Sequence, residues 1–174
     1  LNYLVDQEKR QQDKQKERLQ SELSFLRSQI SPHFIFNILN SIVYLIRTKS
    51  DLAEPVTLKL SELMRYMLYE SENEQISLDK EISYLQNYIE LQKVRFEEDV
   101  DIRFHVEGSP AAQRIEPMLL IPFVENAFKH GVGMVVDPII TVNLTINEQA
   151  LLFSVTNKIT PETAQNRDGS PGIG

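Results

Sequence analysis

The sequence predicts an α+β chain in which a helical half precedes a mixed half. Three observations carry this reading. Between Leu19 and Phe96 apolar side chains recur at spacings of three and four, the mark of amphipathic helices. From Val100 onward the period drops to two, at Ile102, Phe104 and Val106, again over Ile139–Ile146 and again over Leu151–Val155. Between the first and second of these strands lies a further apolar stretch with helical character, from about Pro117 to Gly131. An all-helical half of about 75 residues therefore comes before an α+β half.

Composition narrows the function. The 174 residues carry 25 acidic and 18 basic groups, a net charge of −7, and 41% are apolar, enough for a packed core. A negative balance disfavours nucleic acid as a partner, because its phosphates attract clustered Lys and Arg. No cysteine occurs, which removes disulfides, thiol nucleophiles and thiolate metal sites. Only His33, His105 and His130 remain as imidazoles, too few for a histidine-based metal bundle without far-apart partners. No apolar run approaches the ~20 residues that cross a bilayer. The start at Leu1 without a signal segment leads us to expect the soluble part of a longer protein.

Taken in order, residues 7–18 hold no apolar side chain and are strong helix formers. Leu19, Leu23, Leu26 and Ile30 follow as a heptad seam, which runs back through Lys16, Gln12, Lys9 and Val5. Two readings fit: a solvated helix, or a marginal signalling coiled coil entering from an upstream domain. Pro32 is expected to kink the helix. Beyond it Phe34, Ile38, Ser41, Ile42, Leu45 and Ile46 continue a stripe to about Arg47. Thr48 to Asp51 form a polar break, and Leu58, Leu60, Leu63, Met64, Met67 and Leu68 mark a second helix over Glu54–Glu70. A lone hairpin cannot bury both apolar faces, so a homodimeric four-helix bundle is expected.

After a polar loop at residues 71–75, Ser77 is the predicted N-cap of a third helix, with Asp79 and Glu81 favourable in its first turn. Leu78, Ile82, Leu85 and Ile89 form its stripe, and it ends near Phe96. The strand at 102–106 closes at Gly108-Ser109-Pro110. The helix from about Pro117 is expected to finish at a Gly131 cap. A loop at 147–150 joins the last two strands into a hairpin, and the Pro/Gly/Asn-rich tail from Thr160 is expected to be mobile.

Two motifs carry chemistry. In Ser31-Pro32-His33-Phe34-Ile35-Phe36-Asn37, His33 and Asn37 stand four apart and share a helix face. Imidazole, with an ordinary pKa of about 6.5, is mostly uncharged at pH 7 and can attack phosphorus without a dedicated base. The alternative is a histidine filling a bundle core. The second motif runs from Leu119 to Gly131, an apolar helix carrying Glu125-Asn126 and Lys129-His130. An amide oxygen at Asn126 can bind Mg²⁺, and Lys129, three residues on, can meet a phosphate. The alternative is a helix C-terminus where Lys129 and His130 answer the macrodipole.

The stretch SQISPHFIFNILNSI followed by IPFVENAFKHGV resembles the sensor histidine kinases of the LytS/YesM type, over residues 24–174. Asn87 to Phe96, NYIELQKVRF, resembles that family's linking helix. The resemblance implies a dimerising hairpin at residues 24–75, preceded by an upstream signalling helix at 1–23. It implies an incomplete ATP-binding domain of Bergerat (GHKL-type) α/β sandwich fold at 76–174. It further implies that His33 takes the γ-phosphoryl group of ATP and passes it to an aspartate of a response regulator. Asn126 would be the Mg²⁺-binding asparagine, with Lys129 and His130 near the phosphates. Asn37 would stand where related kinases orient water for phosphatase activity. The implied setting is the cytoplasmic part of a membrane sensor, reaching the membrane only through an upstream region.

Two departures stand out. Many kinases of the resembled fold read adenine with Asp-x-Gly-x-Gly, whereas this strand ends Val155-Thr156-Asn157-Lys158, so neutral Asn157 holds the aspartate's place. Asp168 in the tail is a further candidate for that role. The final Gly172-Ile173-Gly174 resembles the start of the second glycine box, whose amides, Gly172 and Gly174 included, would close on phosphate. A dimerisation and signalling module with degenerate nucleotide binding is the competing reading.

Overall fold

The computed structural model describes residues 11, 14, 15, 31–70, 73–110 and 112–160. The chain divides into two compact units, residues 1–37 and 38–174. Residues 11, 14 and 15 are helical, as predicted. The Leu19–Ile30 seam, the tail beyond Thr160, Asp168, Gly172 and Gly174 lie outside the described residues.

Helix α1 spans Pro32–Arg47. Ser31 is not helical: its Oγ accepts the Phe34 N–H at 3.3 Å and its carbonyl accepts the Ile35 N–H at 3.2 Å. That is N-cap geometry, with Pro32 at the first helical position, where a missing N–H costs nothing. The predicted kink inside a continuing helix is therefore corrected; Pro32 opens a helix. At its far end Lys49 turns left-handed (φ 54°). Its N–H reaches the Ile46 carbonyl at 3.1 Å and the Ser50 N–H reaches Leu45 at 2.9 Å. This paired closure is a Schellman motif, and it explains the polar break.

Helix α2 (Ala53–Tyr69) buries Val56, Leu60, Leu63 and Met67, spaced four, three and four. Leu58, Met64 and Leu68, which the sequence places on the same apolar side, are exposed. The apolar surface of α2 is wider than its neighbours in this chain cover.

Strand β1 (Ile76–Ser77) leads into helix α3 (Leu78–Phe96). Ser77 occupies the N-cap position but its hydroxyl makes no cap bond. The Leu78 N–H goes instead to the Gln113 carbonyl at 2.9 Å, continuing the antiparallel ladder of β1 with β3 (Arg114–Ile115). Leu78, Ile82, Leu85 and Ile89 are buried as predicted. Tyr84, Tyr88, Leu91 and Gln92 are buried too, because α3 packs on α2 as well as on strand β2 (Asp101–Glu107). The α2 contact includes a Tyr66–Tyr84 ring stack at 4.2 Å and a Lys59–Glu90 ion pair at 2.5 Å.

The main sheet has the order β2-β4-β5, with β4 spanning Ile139–Ile146 and β5 Leu151–Asn157. β2 and β4 run parallel and β4 and β5 antiparallel. Central β4 buries Ile140, Val142, Leu144 and Ile146 by strict alternation. On edge strand β2 only Ile102 is buried, and Val106 is exposed against expectation. Gly108 (φ 93°) ends β2 so close to the Ile146 carbonyl that a Cβ would lie 2.1 Å from its oxygen. Asn147 Oδ1 accepts the N–H groups of Gln149 and Ala150, which closes the β4–β5 hairpin.

The parallel pair β2 and β4 is connected through helix α4, Ile121–Gly131. It begins four residues later than predicted, with Pro122 rather than Pro117 in its first turn. Met118 is left-handed (φ 60°), and the N–H groups of Met118 and Leu120 bond to the Glu81 carboxylate, so residues 117–120 form a turn. The α+β class predicted from the sequence is the one found.

Candidate functional site

In the first unit, His33 is exposed in the first turn of α1. The Asn37 Nδ2 stands 3.2 Å from its Nδ1 and 3.4 Å from its Nε2, the contact expected of positions four apart on one helix face. Asn37 therefore stands against the ring, its amide nitrogen almost equidistant from the two imidazole nitrogens. His33 is not a core histidine.

In the second unit, α4 packs on β5 and β4. Strand periodicity sets the inner face of β5: Leu151, Phe153, Val155 and Asn157 are half-buried, while Leu152, Ser154 and Thr156 are exposed. Asn157 sits opposite Ile140 of β4. Helix periodicity brings Phe123, Asn126 and Ala127 to the same place. These three residues together with Phe153, Val155 and Asn157 line a cavity of about 270 Å³. Phe123 and Phe153 meet edge to face there, ring centroids 6.1 Å apart. Asn126 and Asn157, far apart in sequence, thus converge. Lys129 and His130 are exposed in the last turn of α4 and do not line this cavity.

Gly131 is the last residue of α4, with no left-handed φ, so the cap expected there is corrected. Its role is space: a Cβ would lie 2.7 Å from Asn157 Cβ and 3.0 Å from Asn157 Nδ2. The Asn157 amide nitrogen donates to the Lys158 carbonyl at 2.9 Å. Lys158 Nζ in turn holds the carbonyls of Val136 and Asp137, each at 3.0 Å.

Behind the cavity, burial raises the Glu125 carboxyl above the usual carboxylate range. Burial also raises the Tyr84 and Tyr88 hydroxyls, with the Glu125 charge as the next cause for both. Glu81 is fully buried and accepts from Tyr66 Oη, Met118 N–H and Leu120 N–H, which holds the turn that launches α4.

Sequence reasoning missed Gly131, Glu81 and Lys158 as supports. It could have found Phe153, which follows from counting back by two from Asn157. Glu81 carries no such signal, because a glutamate in a first turn is ordinarily a solvated partner of the helix dipole.

The cavity suits part of a nucleotide. Its volume lies just under the roughly 300–1,000 Å³ of pockets that enclose a whole ligand. Its walls are apolar and aromatic, with two amides as the polar groups. Among the described residues no three His, Cys, Asp or Glu side chains gather as a metal site. Mg²⁺ needs few protein ligands beside phosphate and water, and the Asn126 amide oxygen is of the right kind. Among the described residues no helix is long and apolar enough to cross a membrane.

Comparison with known proteins bears on the whole. Residues 21–100 match the histidine kinase family. The chain is 38% identical over 112 residues to the sensor protein kinase HptS of Staphylococcus aureus strain USA300, and equally to HptS of strains NCTC 8325 / PS 47 and COL. These matches cover 63% of this chain and 21% of each relative, so the chain spans about a fifth of the length of the curated relatives it matches. The matched segment, with the Pro32-His33-Phe34 and Glu125-Asn126-Ala127 motifs, makes this chain similar to the sensor histidine kinases.

Proposed function

We propose that this chain is the phosphotransfer and nucleotide-binding part of a two-component sensor kinase. In this reading His33 is autophosphorylated from ATP and hands the phosphoryl group to a response-regulator aspartate. The observation that carries the nucleotide half is the convergence of Asn126 and Asn157 on one cavity of α4 and β5.

A neutral His33 nitrogen attacks the γ-phosphorus, the bond to the β–γ bridging oxygen breaks, ADP leaves, and the ring N–H proton passes to solvent water at this exposed position. The chain supports this step in three ways. His33 is exposed, so a phosphate can reach it. It lies in the first turn of α1, where the helix macrodipole favours an added dianion. Asn37 holds the ring without placing a negative charge beside it. Mg²⁺ bound through Asn126 and the phosphates would neutralise charge on the transferring group. Asn157 would accept a hydrogen bond from the base, and Lys129 and His130 would meet the phosphates from the end of α4.

Residues 24–75 form the dimerising hairpin in this reading and 76–174 the nucleotide domain, after an upstream helix at 1–23. The exposed Leu39, Val43 and Ile46 of α1 and Met64 and Leu68 of α2 support a homodimeric bundle, since a second copy would cover them. In this reading the chain lies on the cytoplasmic side, below a membrane sensor; the relatives are sensor protein kinases by name. A second reading, a signalling module with degenerate nucleotide binding, is favoured by one feature: neutral Asn157, where many kinases of the resembled fold have an aspartate. Calorimetric titration with Mg-ATP decides between them. Binding that Asn126→Ala abolishes is expected; a wild-type protein that takes up no Mg-ATP would reject the kinase reading.

A further inference from the structure

Helix α4 carries Asn126 but brings no cap of its own. Its N-cap position is Leu120, no side chain of the helix caps it, and its first turn holds no acidic residue. Just ahead of it Met118 is buried and left-handed (φ 60°). A methionine keeps that conformation only where its surroundings hold it there. Glu81 meets both needs from α3. Its Oε2 accepts the Met118 N–H at 3.0 Å and its Oε1 accepts the Leu120 N–H at 3.1 Å. The start of α4 is thus capped by a carboxyl group borrowed from another helix. Asn126 stands about 9 Å beyond Leu120 along the helix axis, so a shift of this first turn carries Asn126 with it.

The Glu81 carboxyl is itself held from α2, because Oε2 also takes the Tyr66 hydroxyl. Four contacts between α2 and α3 fix where that hydroxyl stands: Lys59 with Glu90, Glu62 with Asn87, Tyr66 with Tyr84, and Glu70 with Lys80. Residue numbers rise along α2 as they fall along α3, the mark of one antiparallel register. Glu81 lies one helical turn from Tyr84 and so faces the same seam. A chain of direct contacts therefore runs from α2 through Tyr66 and Glu81 to the first turn of α4. Tyr66 itself does not line the α4–β5 cavity.

We propose that Tyr66, acting through Glu81, sets the placement of α4 and with it the affinity of the α4–β5 cavity for a magnesium-bound nucleoside triphosphate. Tyr66 and Glu81 are positioning residues. Drawing α2 away from α3 then weakens nucleotide binding, and bound nucleotide holds α2 in place by the same factor. This rests on the nucleotide reading of that cavity.

The test is calorimetric titration of the intact protein with Mg-ATP, well below its melting temperature. Tyr66→Phe keeps the ring that stacks on Tyr84 and removes only the hydroxyl; it is expected to weaken binding about 5- to 20-fold. Val56→Ala loosens the same helix from a buried position at its other end, and is expected to bind within about twofold of wild type. In Glu81→Ala, checked for folding by circular dichroism, adding Tyr66→Phe is expected to cost nothing further, because both act through one carboxyl group. If Glu81→Ala does not fold, the first two variants decide. Wild-type affinity in Tyr66→Phe, an equal loss in Val56→Ala, or fully additive losses in the double variant overturn the proposal while the nucleotide reading stands. A wild-type protein that takes up no Mg-ATP overturns that reading and this proposal with it.

Discussion

The Tyr66 hydroxyl of α2 donates to the buried carboxylate of Glu81 on α3. The same carboxylate takes the N–H groups of Met118 and Leu120, at 3.0 and 3.1 Å, just ahead of α4. One side chain therefore ties α2, α3 and the start of α4, the helix that carries Asn126. A buried carboxyl group is accommodated here because three donors surround it.

Removing that carboxylate strands the donors. Glu81→Ala is expected to destabilise the fold by about 2–5 kcal/mol, and Tyr66→Phe by about 1–2 kcal/mol. Urea denaturation measures both. A Glu81→Ala loss below about 0.5 kcal/mol would show that the three bonds do not hold the turn.

Alkaline pH attacks the same region. Burial is the first cause that raises the Tyr66, Tyr84 and Tyr88 hydroxyls above the ordinary range. The folded protein therefore keeps protons that the unfolded chain sheds above about pH 10. This contribution is complete below that pH and is lost as pH rises. Melting temperature should fall steeply above about pH 10, and Tyr84→Phe should flatten the fall. An unchanged slope in the variant would count against tyrosine ionisation as the cause.

Glu125 works in the opposite range. Its raised carboxyl means that the folded state holds a proton more firmly than the unfolded one. Stability from this group is full at pH values below the unfolded carboxyl's ~4.3 and declines as pH rises through the folded value. Glu125→Gln should melt higher than wild type at pH 7 and lose that advantage near pH 3. A variant that melts lower at pH 7 would mean that ionised Glu125 is supported by contacts stronger than its burial penalty.

Much of this was legible beforehand for a physical reason: residues whose position follows from periodicity can be placed from sequence. The stripe of Leu78, Ile82, Leu85 and Ile89 is buried as expected, and alternation along 151–157 puts Asn157 on the inner face of β5. His33 and Asn37 meet because four residues make one helical turn. What could not be read depends on partners distant in sequence. Pro32 signals a kink or a start with equal force until Ser31 is seen to cap it. Pro117 and Pro122 both suit a first turn, and the choice falls to Glu81, 37 residues before Met118. Gly131 looks like any helix-ending glycine until the Asn157 side chain is found against it.

The central claim is that His33 receives phosphate from ATP. The direct measurement incubates the intact protein with γ-labelled Mg-ATP, then follows the label through acid and alkali treatment in wild type and in His33→Ala. The account predicts label that is acid-labile, alkali-stable and absent from His33→Ala. Label of the same amount and stability in the variant would contradict it.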